Sequence, residues 1–432
     1  ICWTLSKQME YPEHYYKINR LILSFYGLWP FQSKWSAHLM RASTIITLLS
    51  NAIFQLLTFS TTNITKDFII DVMSEFIPAI AGLSHIYARI KRIDKLRDLF
   101  ERIRDDWKLQ KTSFEIKIMH KYAETSRLFS LYCLSKKNIL DLALSSFSEE
   151  KNIELRNLQL SNFSVLYIIM IACNLQIFLP YILDVILPMN ESRPRTQPFQ
   201  LEFFTIEERY PTLITFYVFI IVIISSIIYC ANSVLCVTLT QHACGMCELL
   251  GYRAECLFYD VEHNKDLTTQ YDLIRSKINY GNMAIFIQMH YNIIEYVDSR
   301  NTSSVSKCKN KIFQVLTIGS DIDRAFRSIS VAVIALIYLF ISNYMAQKIT
   351  DMSLNVCEKV YNSAWYNANV LEQKPLLLIM KRRFRPFVLT ACRFYIMSLQ
   401  NFGMIIMKGY KECLSSKILR TAISYCMFMR QL

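Results

Sequence analysis

Cys244 and Cys247 stand three residues apart with His242 just before them. Such a grouping can hold zinc or cycle between dithiol and disulfide. Zinc needs a second ligand pair at suitable spacing, and none is evident. A redox CxxC belongs beside a βαβ pattern, which the sequence also lacks, so the pair is read as reduced structural thiols. The sequence contains no GxxxxGK[ST], HExxH, GxSxG or GxGxxG. No catalytic residue, metal ligand or cofactor is therefore assigned, and the chain is not read as an enzyme. Asp71, Glu75 and Asp184 are different, because each sits inside a long apolar stretch, where an ionisable group is costly and by default a functional candidate. Near them in the chain, or in neighbouring apolar stretches, stand Phe76, Phe178, Tyr181, Phe216, Tyr217 and Tyr338. An aromatic cavity with few polar groups suits a small volatile ligand. The competing reading for each residue is helix packing or an interfacial aromatic belt.

The elements that must position these groups follow from the distribution of apolar residues. The chain has 432 residues, 53% hydrophobic and 19% charged, with 8 Gly, 10 Pro and 13 Cys. That apolar excess rules out disorder and collagen, and the cysteine density is too low for a disulfide scaffold. A bilayer core about 30 Å thick needs roughly 17–25 mostly apolar residues per helix. Residues 212–240 carry no charge, 163–189 carry Asp184 alone, 329–347 none, 39–59 only Arg41, and 69–88 Asp71 and Glu75. A soluble core does not supply five such helices. The expected class is all-α, a polytopic transmembrane helix bundle embedded in a lipid bilayer. The stretch 387–407 reads as an amphipathic helix leading into a final, polar-faced span, with an interfacial helix as the alternative.

Forty-eight Lys+Arg against 35 Asp+Glu leave a formal charge of +13. Residues 89–162 hold 16 of the basic residues, so the positive-inside rule places them in the cytosol. The basic loops flank spans, which points to topology and anionic headgroups and away from nucleic acid. Ile90, Ile93, Leu96, Leu99 and Ile103 continue at helical spacing, as if the second span extended into the cytosol. Residues 1–38 then lie inside, and no signal-peptide pattern is visible in them. Asn63 and Asn190 are the glycosylation sequons in expected outside loops. After 240 the parity fails, since 241–328 carry ten Lys+Arg and 348–385 carry seven. Both flanks of the 329–347 span ask to be cytosolic, so one crossing is missing or altered.

ILDVILPMNESRPRTQPFQLEFF (182–204), LTQHACGMCELLGYRAE (239–255), IALIYLFISNYMAQKITDMS (334–353) and WYNANVLEQKPLLLIMKRRFRPFVLTACRFYIMSLQNFG (365–403) carry a further signal. With AISYCMFMRQL at the end, they make the chain resemble the insect odorant receptors, most of all an ant-like hymenopteran group. The resemblance implies nominally seven spans with a cytoplasmic N-terminus, the fifth missing or altered here. It implies a plasma-membrane protein of olfactory neurons, the tuning subunit of a heterotetrameric, odorant-gated, nonselective cation channel. Its partners would be a co-receptor subunit and a small volatile ligand held in the outer half of the bundle. Thr421, Ser424 and Tyr425 would line the pore. Trp365 and the stretch from Lys374 to Arg385 would belong to a cytosolic anchor within 348–432, below a transmembrane bundle at 39–347. Residues 133–162, 299–311 and 408–417 depart from the family pattern, as retained-intron or skipped-exon segments would. A gustatory-type channel and a mis-spliced, non-functional product are the alternatives. A G-protein-coupled receptor would need an outside N-terminus, and a transporter would show paired repeats.

Overall fold

The computed structural model describes residues 13–61, 66–108, 112–134, 210–256, 287–294, 322–363, 365–368, 370–391 and 395–408. Outside them lie the expected third span with Phe178, Tyr181 and Asp184, both sequons, the irregular stretch 299–311, most of 133–162 and 408–417, and Thr421, Ser424 and Tyr425. The side chains of Asp71 and Glu75 also fall outside.

Helix α1, Lys17–Phe25, turns Asn19, Ile22 and Leu23 inward. It ends where Gly27 takes φ +65°, a left-handed conformation open to a residue without Cβ. There Gly27 N–H bonds Ser24 O at 3.0 Å and Leu28 N–H bonds Leu23 O at 2.8 Å, the paired closure of a Schellman end. Helix α2, Lys34–Thr61, is 28 residues and so about 42 Å long at 1.5 Å per residue, enough to cross a bilayer. It contains the apolar stretch 39–59. Helix α3, Lys66–Ile90, contains 69–88 and packs on α2.

The expected continuation of α3 into the cytosol is corrected by a break at Lys91 and Arg92. Arg92 N–H closes a tight bond to Arg89 O at 3.1 Å, and a separate helix α4, Ile93–Lys108, follows. No Pro or Gly marks the break, so hydrophobic periodicity runs straight through it. Helix α4 buries Leu96, Leu99, Phe100, Ile103 and Trp107, the face that periodicity marks. Helix α5, Ser113–Leu134, starts with a capping box: Thr112 N–H bonds Glu115 Oε2 and Glu115 N–H bonds Thr112 Oγ1, each at 3.2 Å.

Helix α6, Pro211–Cys256, runs for 46 residues, about 69 Å. That is about twice the thickness of a bilayer core. Among the described residues, α2 and α6 are the helices long and apolar enough to cross. Burial along α6 is uneven: Val234, Leu235, Ala243, Cys244, Cys247, Leu249 and Leu250 are almost fully enclosed, whereas Leu213, Phe216 and Ile220 are open on its outer half. A helix apolar on every side must be covered on every side. Protein covers the second half, chiefly α5 and helix α8, and the first half is left open among the described residues. Residues 287–294 form α7, and α8 spans Ile322–Asn362. Helix α9, Val370–Lys381, carries Pro375 inside it.

The expected amphipathic helix over 387–407 is corrected to a short antiparallel hairpin followed by a helix. Strand β1, Thr390–Ala391, pairs with β2, Tyr395–Ile396, and only 399–408 is helical, as α10. Pro386 biases the residue before it away from helix, and Arg385 sits at φ −138°, ψ 69°. Extended backbone then places the Phe387 carbonyl to accept from Thr350 Oγ1 at 2.8 Å and its N–H to donate to Ser353 Oγ at 3.1 Å, both on α8.

Candidate ligand vestibule and cytosolic anchor

At the outer end of α6, Tyr217 shares a hydrogen bond of 2.7 Å with Ser50 on α2. Its ring meets Phe54 edge-on at 5.8 Å, and Ile214 and Val218 pack beneath the pair. This is the described part of the expected outer cavity, aromatic and apolar with two hydroxyls. Phe76 is half-buried on α3, and Phe216 is 54% exposed, on the open side of α6.

Tyr338 is not part of that group. It joins His85 and Tyr229 in a triangle of edge-on rings with centroids 6.0–6.3 Å apart. Tyr229 lies 12 residues along α6 from Tyr217, about 18 Å toward the cytosol. The expected single outer cluster is thus two layers, because span position in sequence does not fix the relative height of residues on separate helices.

Along the second half of α6, α5, α6 and α8 meet through buried polar groups. Tyr122 donates to Glu248, and Lys348 Nζ donates to Gln241 Oε1 at 3.1 Å while lying 5.5 Å from the Tyr122 ring centre. Burial pulls the Lys348 ammonium below its ordinary range, and the same burial, aided by Glu248, pushes the Tyr122 phenol up. His242 Nε2 sits 2.9 Å from Asp106 Oδ2. Arg253 Nε donates to Glu115 Oε1 at 2.6 Å, with both side chains largely buried. None of these pairs is adjacent in sequence, and the readable signal near them is the Thr112-x-x-Glu115 capping signature, which holds Glu115 at the start of α5. Cys244 and Cys247 are buried and unbridged. Burial raises the Cys247 thiol well above its usual range, which works against the thiolate that redox or zinc chemistry uses.

The expected anchor residues lie around α9. Trp365 packs against the core, Lys374 is exposed, and Arg385 lines a small crevice with His290, Cys357 and Phe387. Leu371, Leu378 and Phe384 stand 66%, 67% and 85% exposed, an apolar face with nothing covering it among the described residues. His290 tilts against Phe387 with ring centres 6.2 Å apart. Burial and the nearby Arg382 cation lower its pKa from 6.5 to about 4. An unfolded histidine takes up its proton near 6.5 while the folded one resists it, so stability present above that pH is lost on acidification toward 4. Purified chain moved from pH 7.5 to 5 is expected to lose up to about 2 kcal/mol through this group. In thermal unfolding, His290→Leu should flatten that difference; an equal acid loss in the variant would contradict the assignment.

Residues 311–408, which hold α8, α9, the hairpin and α10, match the family model described as 7tm Odorant receptor. A segment of 96 residues is 32% identical to the provisionally named odorant receptor 85d of Drosophila melanogaster. It covers 22% of this chain and 23% of that relative, well under two thirds of its length. The fold as a whole is similar to that of the insect olfactory receptor OR5 from Machilis hrabei, with a TM-score of 0.64 over 92% of this chain and 96% of that one, at 14% identity. The likeness at that identity is one of fold, and the family match covers residues 311–408. The structure of OR5 in complex with eugenol is similar too, with a TM-score of 0.57 over 93% of this chain and 96% of that one, at 14% identity. The matched residues include helix α8, which packs on α6 through buried residues such as Met345, Ala346 and Ile349.

Proposed function

We propose that this chain is the odorant-sensing tuning subunit of a heteromeric, ligand-gated, nonselective cation channel of the plasma membrane. It binds a small volatile ligand in the outer half of the bundle and completes its pore with a co-receptor subunit. The observation that carries the reading is the aromatic, hydroxyl-bearing layer of Ser50, Phe54 and Tyr217 at the outer end of α2 and α6. The likeness to an olfactory receptor whose structure was determined with eugenol supports it. Phe76, Phe178, Tyr181, Phe216 and Tyr338 are the further ligand candidates, with Tyr338 in the deeper layer. Thr421, Ser424 and Tyr425 are proposed to face the pore, and Asn63 and Asn190 to carry glycans. Trp365, Lys374 and Arg385 belong to the anchor, and the apolar face of α9 is the surface that a neighbouring subunit covers.

The test is an odorant dose–response in cells that express both subunits. Tyr217→Phe keeps the ring and loses one hydrogen bond, about 1 kcal/mol. Tyr217→Ala also empties the layer, so half-maximal odorant concentrations should rise about tenfold or more for the alanine variant and only slightly for phenylalanine. Unchanged curves for both variants at equal surface expression would remove Tyr217 from the site. A second measurement reads the anchor. Leu371→Asp with Leu378→Asp is expected to abolish co-purification with the co-receptor while leaving the thermal midpoint of the single chain unmoved, because both side chains are already exposed. Retained co-purification would contradict the interface.

A further inference from the structure

At the cytosolic end of α3, a crevice between α3, α4 and α6 is lined by His85, Arg89, Arg92 and Lys95, over an apolar floor that includes Leu96 and Leu239. Three cationic side chains and an imidazole converge there, and among the described residues no carboxylate lines it. Asp94 and Asp98 lie on the same helix but are exposed to solvent. Arg89 already gives its Nε–H to Asn232 Oδ1 at 3.3 Å. Arg92 differs, because its Nη1 is enclosed with no hydrogen-bond partner among the described residues. A guanidinium nitrogen buried without an acceptor costs folding free energy, and the natural acceptor for its planar fork is a phosphate or carboxylate oxygen.

The height of the crevice narrows the choice. It begins at the last turns of a span whose apolar stretch ends at residue 88, and Tyr87, 67% exposed, marks the interface on the outside of the same helix. Phosphates of inner-leaflet headgroups lie at that level, and basic pockets on the cytosolic side of membrane helices are suited to them. We propose that this crevice is a binding site for a phosphate-bearing anion, held by Arg92 with Arg89 and Lys95, and filled by the headgroup of an acidic inner-leaflet phospholipid. Because α3 breaks at Lys91 and Arg92, an anion there ties the end of the span to α4. The site is separate from the outer layer and does not rest on the proposed odorant function.

The experiment uses the full chain in nanodiscs. Discs of phosphatidylcholine alone are compared with discs containing phosphatidylserine or phosphatidylinositol 4,5-bisphosphate, and bound lipid is counted by native mass spectrometry with thermal midpoints measured in parallel. Soluble inositol trisphosphate and inorganic phosphate are added to the phosphatidylcholine discs. Retention of acidic lipid with a raised midpoint, and no effect of the soluble phosphates, supports the lipid source. Stabilisation by the soluble phosphates supports the same site with a cytosolic source. Arg92→Gln should weaken the effect about tenfold, the loss of one charge-assisted contact, and Arg92→Lys should weaken it less. Lys117→Gln, an exposed change on α5, should leave it intact and so separates the site from general surface charge. No stabilisation by any phosphate-bearing probe, or equal effects in wild type and Arg92→Gln, would overturn the proposal.

Discussion

Replacing Gly27 by alanine is expected to lower stability by about 2–4 kcal/mol, mostly through backbone strain. The residue sits at φ +65°, and a Cβ built there would come within 2.3 Å of the Ala37 carbonyl oxygen. That atom is backbone at the start of α2, so relief requires the α1–α2 turn to open. Opening it moves the Gly27 carbonyl, which accepts from Arg41 Nε at 2.7 Å, a bond to a charged donor worth about 1.5–3 kcal/mol. Arg41 is the one charge within the first apolar stretch, so freeing it also alters how that span enters the membrane. The control is Gly403→Ala on α10, where an added Cβ meets nothing within 4 Å and helix propensity favours alanine by about 0.5–1 kcal/mol. Thermal unfolding of purified chains compares the two. A midpoint for Gly27→Ala equal to that of Gly403→Ala would show that the turn does not depend on its left-handed residue.

The second large effect is at the α5–α6 contact. Arg253→Ala is expected to cost about 3–5 kcal/mol, the range for removing one partner of a buried ion pair. Glu115 has only 7% of its side chain exposed, and it loses a 2.6 Å bond from Arg253 Nε. The carboxylate also closes the capping box of α5 through Oε2, so its displacement loosens that helix start as well. Removing both partners, as Glu115→Gln with Arg253→Met, should recover part of the loss, since no uncompensated charge is then enclosed. Surface expression and thermal midpoint read both variants. A double variant no better than Arg253→Ala would mean that the pair contributes through shape and not through charge.

Spans were legible in the sequence because a bilayer sets a long, nearly charge-free minimum length, and α2 and α6 rest on that signal. Helix α4 was legible as an amphipathic face, but its separation from α3 was not, for the chain breaks at Lys91 without Pro or Gly. Pro386 and the residues after it carried a local warning against helix that a longer apolar periodicity overrode. Of the outer aromatic residues, Tyr217 found a partner in Ser50, whereas Tyr338 belongs a layer deeper beside His85. Height along separate helices depends on tilt and packing, and no spacing within one helix encodes it. The buried pairs Asp106–His242, Tyr122–Glu248 and Glu115–Arg253 span 126 to 138 residues. Such partners are chosen by tertiary contact, so single-residue patterns leave them unseen. The failed charge parity, by contrast, came from the sequence alone, and it concerns 241–328, most of which lies outside the described residues.

The most direct test of the account expresses the chain in cells with and without a co-receptor subunit, confirms surface delivery, and records whole-cell current during a broad panel of volatile compounds. A tuning subunit predicts an odorant-evoked, nonselective inward cation current that requires both chains. Currents from this chain alone, or silence with both chains at the surface, would contradict it.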